Sequence, residues 1–333
     1  MRKPVKAISL VLAGVIMLAG CGGKEVTSEN GKKEKMVSVG ITQFATHPSL
    51  DAATKGFKEA MAEKGFKEGK NVDYDFQNAQ GDQNNTSTIA NNFVGDKVDL
   101  IFANATPSAT AALNATKNIP IIFTSVTDPV GSGLVESLDK PGGNITGTTD
   151  NHPDATKKTI EFITEEIGAK KIGVIYNTGE QNSEVQLKEV KKLAEANGAK
   201  VTEASISTTA EVKQAAESLV GRVDAIYIPT DNTVVSALES VISVANNKKI
   251  PLFVGELDSM KRGAVAASGF DYYDIGYQSG LMAAEILSGK KKVSELPVEL
   301  PVSLTLTINK KAAEAQGVEV KEEWGKEAKF FEE

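Results

Sequence analysis

Cysteine is all but missing from this chain: among 333 residues the only thiol belongs to Cys21. Internal disulfides, CxxC redox chemistry and thiolate metal centres are therefore excluded. Histidine is nearly as scarce, with His47 and His152 far apart and each followed by proline. A metal site needs more ligands than these, so neither a metal nor another cofactor is expected. The sequence also lacks a GxSxG elbow, a P-loop, a GxGxxG fingerprint and an HExxH helix, and its carboxylates show no spacing that singles out an acid/base pair. Gly131-Ser132-Gly133 and Gly142-Gly143 are too short to cradle a nucleotide and read as turns. No enzyme is expected. Lysines and arginines form no basic stripe, and the formal charge is -7, or -10 once Arg2, Lys3 and Lys6 are set aside with the first segment. A nucleic-acid partner is therefore not expected.

Those three basic residues precede an apolar run over residues 7–20, too short to span a bilayer comfortably. Residues 1–20 read as a signal segment. Leu18-Ala19-Gly20-Cys21 matches a lipobox, in which small residues fit the signal peptidase and the Cys21 thiol takes a diacylglyceryl group. Residues 21–35 are then a lipidated cysteine and a polar tether, with the folded part starting near Met36. The predicted location is extracytoplasmic, on a membrane, through the lipid on Cys21.

What the chain has in place of motifs is a repeat. Val98-Asp99-Leu100-Ile101-Phe102 and Val223-Asp224-Ala225-Ile226-Tyr227 match without a gap at an offset of 125. Val39-Gly40-Ile41 against Ile172-Gly173-Val174, and Ile119-Pro120-Ile121 against Ile250-Pro251-Leu252, fall in the same order. Two similar lobes imply a cleft between them. Short apolar runs alternate with helical-period segments, predicting an α/β fold of two doubly wound, Rossmann-like lobes with parallel sheets. Strands are predicted at 37–42, 71–77, 100–103 and 121–124, then at 171–176, 200–206, 225–228, 252–254 and 303–308, with helices between them. A late helix over 274–288 carries Gly276 and Gly280 as close-packing positions.

In such sheets a ligand sits beyond the carboxyl ends of the strands. The residues there are Gln43, Phe44, His47, Ser49, Thr106, Ser108, Ser125, Thr127 and Asp128 in the first lobe. The second offers Asn177, Glu180, Asn182, Ser183, Thr230, Asp231, Asn232, Glu256 and Asp258. Rich in hydroxyls, amides and acids and poor in cations, this set suits an α-amino acid. Thr106 and Ser125, with helix N–H groups, would hold the carboxylate, and Asp231 or Glu256 the ammonium. Phe44 and Tyr272 are candidate aromatic walls. For Thr106 and Asp231 an N-cap role competes, and for Asp128, followed by Pro129, a turn role. Trp324 is read as packing a C-terminal helix onto its lobe.

Lipobox, tether, tandem lobes and the return segment Ser268-Gly269-Phe270-Asp271-Tyr272-Tyr273-Asp274-Ile275-Gly276 together resemble the type I solute-binding proteins of ABC importers. Gly40-Ile41-Thr42-Gln43, Ala105-Thr106-Pro107-Ser108-Ala109, Thr127-Asp128-Pro129-Val130 and Phe270-Asp271-Tyr272-Tyr273 are similar to the tryptophan/tyrosine-type substrate-binding family. The resemblance implies the type I periplasmic-binding-protein fold with a three-strand hinge, crossing near Gly147, near residues 269–271 and near 303–309. The lobes would be 36–147 plus 272–303 and 148–271 plus 304–333. It also implies a monomer that captures a solute, favouring an aromatic amino acid, and hands it to an ABC permease driven by a separate ATPase. Two alternatives stay open: a purine nucleoside stacked by Phe44 and Tyr272 and held by Gln43, Asp231 and Asn232, or a sensory role for the same receptor.

Overall fold

The computed structural model describes residues 36–332 together with two short strands, Val26–Thr27 (β1) and Lys33–Glu34 (β2), which pair antiparallel. The expected signal segment, Cys21 and, apart from β1 and β2, the tether lie outside the described residues.

The first lobe runs Val37–Gln43 (β3), Pro48–Glu63 (α1), Val72–Asn78 (β4), Gln83–Asp96 (α2), Leu100–Asn104 (β5), Thr106–Ala115 (α3), Ile121–Val126 (β6) and Ile145–Thr149 (β7). Its five strands are parallel in the order β4-β3-β5-β6-β7. The second lobe runs Ala155–Glu161 (α4), continued by a π-helical turn at Phe162–Glu166, then Lys171–Asn177 (β8), Gln181–Ala196 (α5), Lys200–Ile206 (β9), Val212–Leu219 (α6), Ala225–Ile228 (β10), Asn232–Ser236 (α7), Leu238–Lys248 (α8), Leu252–Val254 (β11), Leu257–Gly263 (α9) and Ala266–Gly269 (β12). Tyr272–Leu287 (α10) returns to the first lobe, packing on α1. Thr305–Asn309 (β13), Lys310–Ala315 (α11) and Ala328–Phe331 (β14) then complete the second sheet, ordered β14-β13-β12-β11-β10-β8-β9. One pairing departs from the expected parallel pattern: β13 runs antiparallel to β12, because the chain enters it from the first lobe.

The repeat has a physical content in both lobes. Asp99 Oδ2 accepts the Ser38 N–H at 3.0 Å, and Asp224 Oδ2 accepts the N–H groups of Lys170 and Lys171 at 2.9 and 2.8 Å. Each repeated Val-Asp thus fixes the register of a lobe's first strand. A Cβ on Gly40 would lie 2.6 Å from the Phe93 ring, and one on Gly173 2.7 Å from Leu219 Cδ1, so each glycine admits the side chain of the helix crossing that strand. Both sheets are covered on both faces by apolar side chains; in the first lobe Phe57 stacks on Phe102 at 3.9 Å on one face, while Phe93 and Phe123 fill the other.

Pro48 opens α1, and Leu50, Ala53, Phe57, Ala60 and Met61 recur at helical spacing on its buried side. Its small positions meet those of α10. A Cβ on Gly56 would strike the Tyr273 carbonyl oxygen, one on Gly276 that of Ala53 and one on Gly280 that of Phe57. The close-packing reading of Gly276 and Gly280 therefore describes the α1–α10 contact.

Some sequence expectations need correction. Ile145–Thr149 is a strand, so the first lobe's sheet continues past Gly147 to Thr149. Between the strands at 225–228 and 252–254 the helical segment breaks into α7 and α8 at Ala237. The chain ends in β14 instead of a helix. Trp324 sits in a 3₁₀ turn, its ring 4.9 Å from that of Phe162 and its Nε1–H donated to Glu166 Oε2 at 2.6 Å.

Candidate functional site

In each lobe the order of the first five strands is 2-1-3-4-5, which puts the crevice beside the end of the first strand, where the connections diverge. The two crevices face each other and are shut. Ser49 donates to Glu256 Oε2 at 2.5 Å, Gln83 Nε2 to the Gly179 carbonyl at 2.5 Å and Gln186 Nε2 to Thr127 Oγ1 at 3.3 Å, while His47 Nε2 lies 3.3 Å from Asn232 Oδ1. Between them a cavity of about 290 Å³, counting the part that opens to solvent, is lined by His47, Leu50, Ser125, Asp150 and Tyr272 on one side. Asn182, Thr230, Asn232, Val235 and Glu256 line the other. Within it only about 10 Å³ is open to the centre of a water-sized sphere, room for about one water, so the lobes are shut tightly here.

Seven of the residues expected at the site line this cavity: His47, Ser125, Asn182, Thr230, Asn232, Glu256 and Tyr272. The others serve it from behind or lie elsewhere. Gln43 braces α1, donating to Asp51 Oδ1 at 2.7 Å and accepting from the Thr54 hydroxyl at 2.8 Å. Ser108 is buried and accepts from Thr42; Ser183 is buried beside Asn182. Phe44 belongs to the first lobe's core and does not line the cavity, since its side chain packs inward. Thr106 is the first residue of α3 and not its cap, a place taken by Ala105; its hydroxyl is buried without a partner. Asp128 holds a turn by accepting the Gly131 N–H at 2.7 Å. Asp271 caps α10 through the Tyr273 N–H.

The two carboxylates proposed for an ammonium are already engaged. Asp231 caps α7, accepting from Val234 N–H at 2.8 Å and Asn177 N–H at 2.6 Å. Glu256 caps α9, accepting from the N–H groups of Asp258 and Ser259 and from the hydroxyls of Ser49 and Ser259. Asp150 is different, and the sequence reading left it out. It follows β7, a strand that Thr146, Gly147, Thr148 and Thr149 disguise as a turn; the run of β-branched threonines was the available signal. Asp150 Oδ2 accepts the Tyr272 hydroxyl at 2.8 Å and Oδ1 that of Thr127 at 2.9 Å. Protein surrounds this carboxylate, and burial raises its pKa despite those hydrogen bonds, with Glu256 adding repulsion. Among the described residues neither lysine nor arginine lines the cavity.

Several polar atoms of this region are buried without a partner: Ser125 Oγ, Asn182 Oδ1 and His47 Nδ1 in the lining, and Thr106 Oγ1 close by. Unsatisfied groups of this kind cost about 1–3 kcal/mol each. Backbone strain gathers at the same strand ends, where Ala105 has φ 85° and Ser125 φ 57°. Strained residues persist where the surroundings impose them, and they gather at ligand sites. Beneath the second-lobe wall, Glu180 accepts from Asn232 and Thr233, and its charge together with burial pushes Asp231 up to about 7.

Two doubly wound lobes closed over a polar cavity make this a type I periplasmic-binding-protein fold. The model of the ABC transporter substrate binding protein family matches residues 38–331, and the chain belongs to that family. A tyrosine-binding protein of Clostridioides difficile strain R20291 is 48% identical over 324 residues, covering 95% of this chain and 93% of that protein. The structure of an ABC domain from Streptococcus pneumonia in complex with L-Trp superposes with a TM-score of 0.84 at 34% identity, covering 89% of this chain and 100% of that one. The ligand-free, open structure of a substrate-binding protein with adhesive properties from Clostridium difficile is 44% identical, covers 89% of this chain and 99% of that one, yet gives only 0.65. The more similar sequence superposes less well, as expected when one cleft is open and the other shut.

Proposed function

We propose that this chain is a lipid-anchored, extracytoplasmic receptor that captures an aromatic amino acid by closing its lobes and presents the closed form to an ABC permease. The observation that carries the reading is Asp150, an enclosed carboxylate facing a cavity whose lining holds no cation. A ligand ammonium supplies the missing charge, and the carboxylate of the same ligand meets Ser125 and the N-terminal N–H groups of α3. Leu50 and Val235, one from each lobe, give apolar walls for a ring. The tyrosine-binding relative and the L-Trp complex support the same solute class. Because the lining comes from both lobes, a bound solute stabilises the closed arrangement by its differential affinity. The lipobox supports anchoring at Cys21.

A thermal-shift panel of the twenty L-amino acids, nucleosides and sugars on the refolded protein tests this. A solute at 100 times its dissociation constant adds about 2.7 kcal/mol. Shifts with aromatic amino acids, absent with their N-acetyl derivatives, are expected. Shifts with nucleosides alone would overturn the solute. Cys21→Ser should move the protein from the membrane to the soluble fraction, and retention on the membrane would refute the anchor.

A further inference from the structure

His47 is a cavity residue whose tautomer the surrounding network fixes. Glu180 Oε2 accepts from both Asn232 Nδ2 at 2.6 Å and the Asn232 N–H at 3.2 Å, and Glu180 Oε1 accepts from the N–H and hydroxyl of Thr233. The Asn232 amide is thereby oriented, with its nitrogen on the carboxylate and its oxygen toward His47. An oxygen there calls for a donor, so the hydrogen of a neutral imidazole sits on Nε2. Burial keeps the ring neutral by lowering its pKa, outweighing the nearby carboxylates of Glu256 and Asp51, with Arg262 acting in the same direction as burial. Nδ1 is then a bare acceptor, and it is buried without a partner.

Asp150 and His47 stand at the ends of different strands in the cavity wall, so an ammonium held by Asp150 leaves the His47 acceptor to another part of the ligand. His47 lies four residues beyond the end of β3 and Asp150 directly follows β7, with β5 and β6 between those strands, and the carboxylates that act on His47 are Glu256 and Asp51 rather than Asp150. One end of the ligand meets Asp150, and the other reaches toward His47. We propose that His47 is a specificity-determining residue whose Nδ1 accepts a hydrogen bond from a donor on the ligand side chain, such as a phenol O–H or an indole N–H. This rests on the amino-acid reading above. Phenylalanine leaves Nδ1 buried and unpaired, a penalty of roughly 5- to 150-fold in affinity. A pocket that hydrogen-bonds a substrate hydroxyl discriminates far more sharply than one that only measures size.

Isothermal titration of the detergent-solubilised full chain with L-tyrosine, L-tryptophan, L-phenylalanine, 4-O-methyl-L-tyrosine and 4-amino-L-phenylalanine separates the possibilities. Tyrosine or tryptophan should bind at least about 10-fold tighter than phenylalanine. The amino analogue should keep that advantage and the methyl ether lose it. In His47→Leu the ratio of phenylalanine to tyrosine dissociation constants should fall toward 1. Equal affinities in the wild type, or a preference that survives in His47→Leu, would overturn the role of His47 while leaving the amino-acid reading intact. Failure of every amino acid to bind would overturn that reading instead. If the leucine variant does not fold, the five-ligand series on the wild type decides alone.

Discussion

Replacing Asp150 by asparagine should act in opposite directions on ligand binding and on stability. The substitution keeps size and leaves an oxygen for the Tyr272 hydroxyl while removing the charge. Breaking an enclosed ion pair by deleting one partner costs about 3–5 kcal/mol. At the low end of that range, affinity for an aromatic amino acid should fall about 150-fold. The unliganded protein should respond the other way. The folded-state pKa of Asp150 is raised, so its contribution to stability is present in acid and is lost as pH rises through that pKa. At pH 8 the variant escapes the penalty, and its melting temperature without ligand should equal or exceed the wild type's. Titration calorimetry gives the first quantity and scanning calorimetry of the stripped protein the second. A dissociation constant within threefold of wild type would refute the ammonium role. A melting temperature lowered by more than about 4 °C, equivalent to roughly 1–2 kcal/mol in a chain of this size, would mean that the carboxylate is structural.

Three other outcomes follow from the geometry. Asp231, raised from its ordinary value to about 7 by burial and by Glu180, contributes stability below about pH 4 that is lost as pH rises through 7; urea denaturation should show unfolding free energy falling from pH 5.5 to 8.5, and a flatter profile in Asp231→Asn. Ser49→Ala removes a hydroxyl donated across the cleft to Glu256, worth about 1–3 kcal/mol of the closed arrangement, so ligand affinity should drop and small-angle scattering should show a larger ligand-free radius; unchanged values for both would contradict the latch. Gly276→Ala drives a methyl into the Ala53 carbonyl and should destabilise by at least about 1–3 kcal/mol, seen as a lower midpoint in urea, whereas a neutral result would mean that α1 and α10 can separate freely.

The architecture was legible because it is written locally. Strand periodicity, Val-Asp pairs at strand starts and glycines under crossing helices recur at a constant offset, and each is a short-range requirement. The cavity was legible only in part. Ser125, Asn182, Asn232, Glu256 and Tyr272 follow visible strands or open a visible helix, whereas Asp150 follows a strand whose threonines and glycine gave no apolar run. Phe44 shows the converse: position after a strand does not say whether a side chain turns toward the cleft or the core.

The sequence by itself therefore determined that there are two α/β lobes, where their strand ends lie, and that polar groups of low positive charge gather there. Only the tertiary structure decided which of those groups are free. Asp231 and Glu256 look on paper like anchors for a cation, but helix N-termini and neighbouring hydroxyls already occupy them, while Asp150 caps no helix and accepts the hydroxyls of Tyr272 and Thr127, and His47 Nδ1 has no partner. A hydrogen bond is a property of two groups in space, so a residue's availability depends on what the fold packs around it.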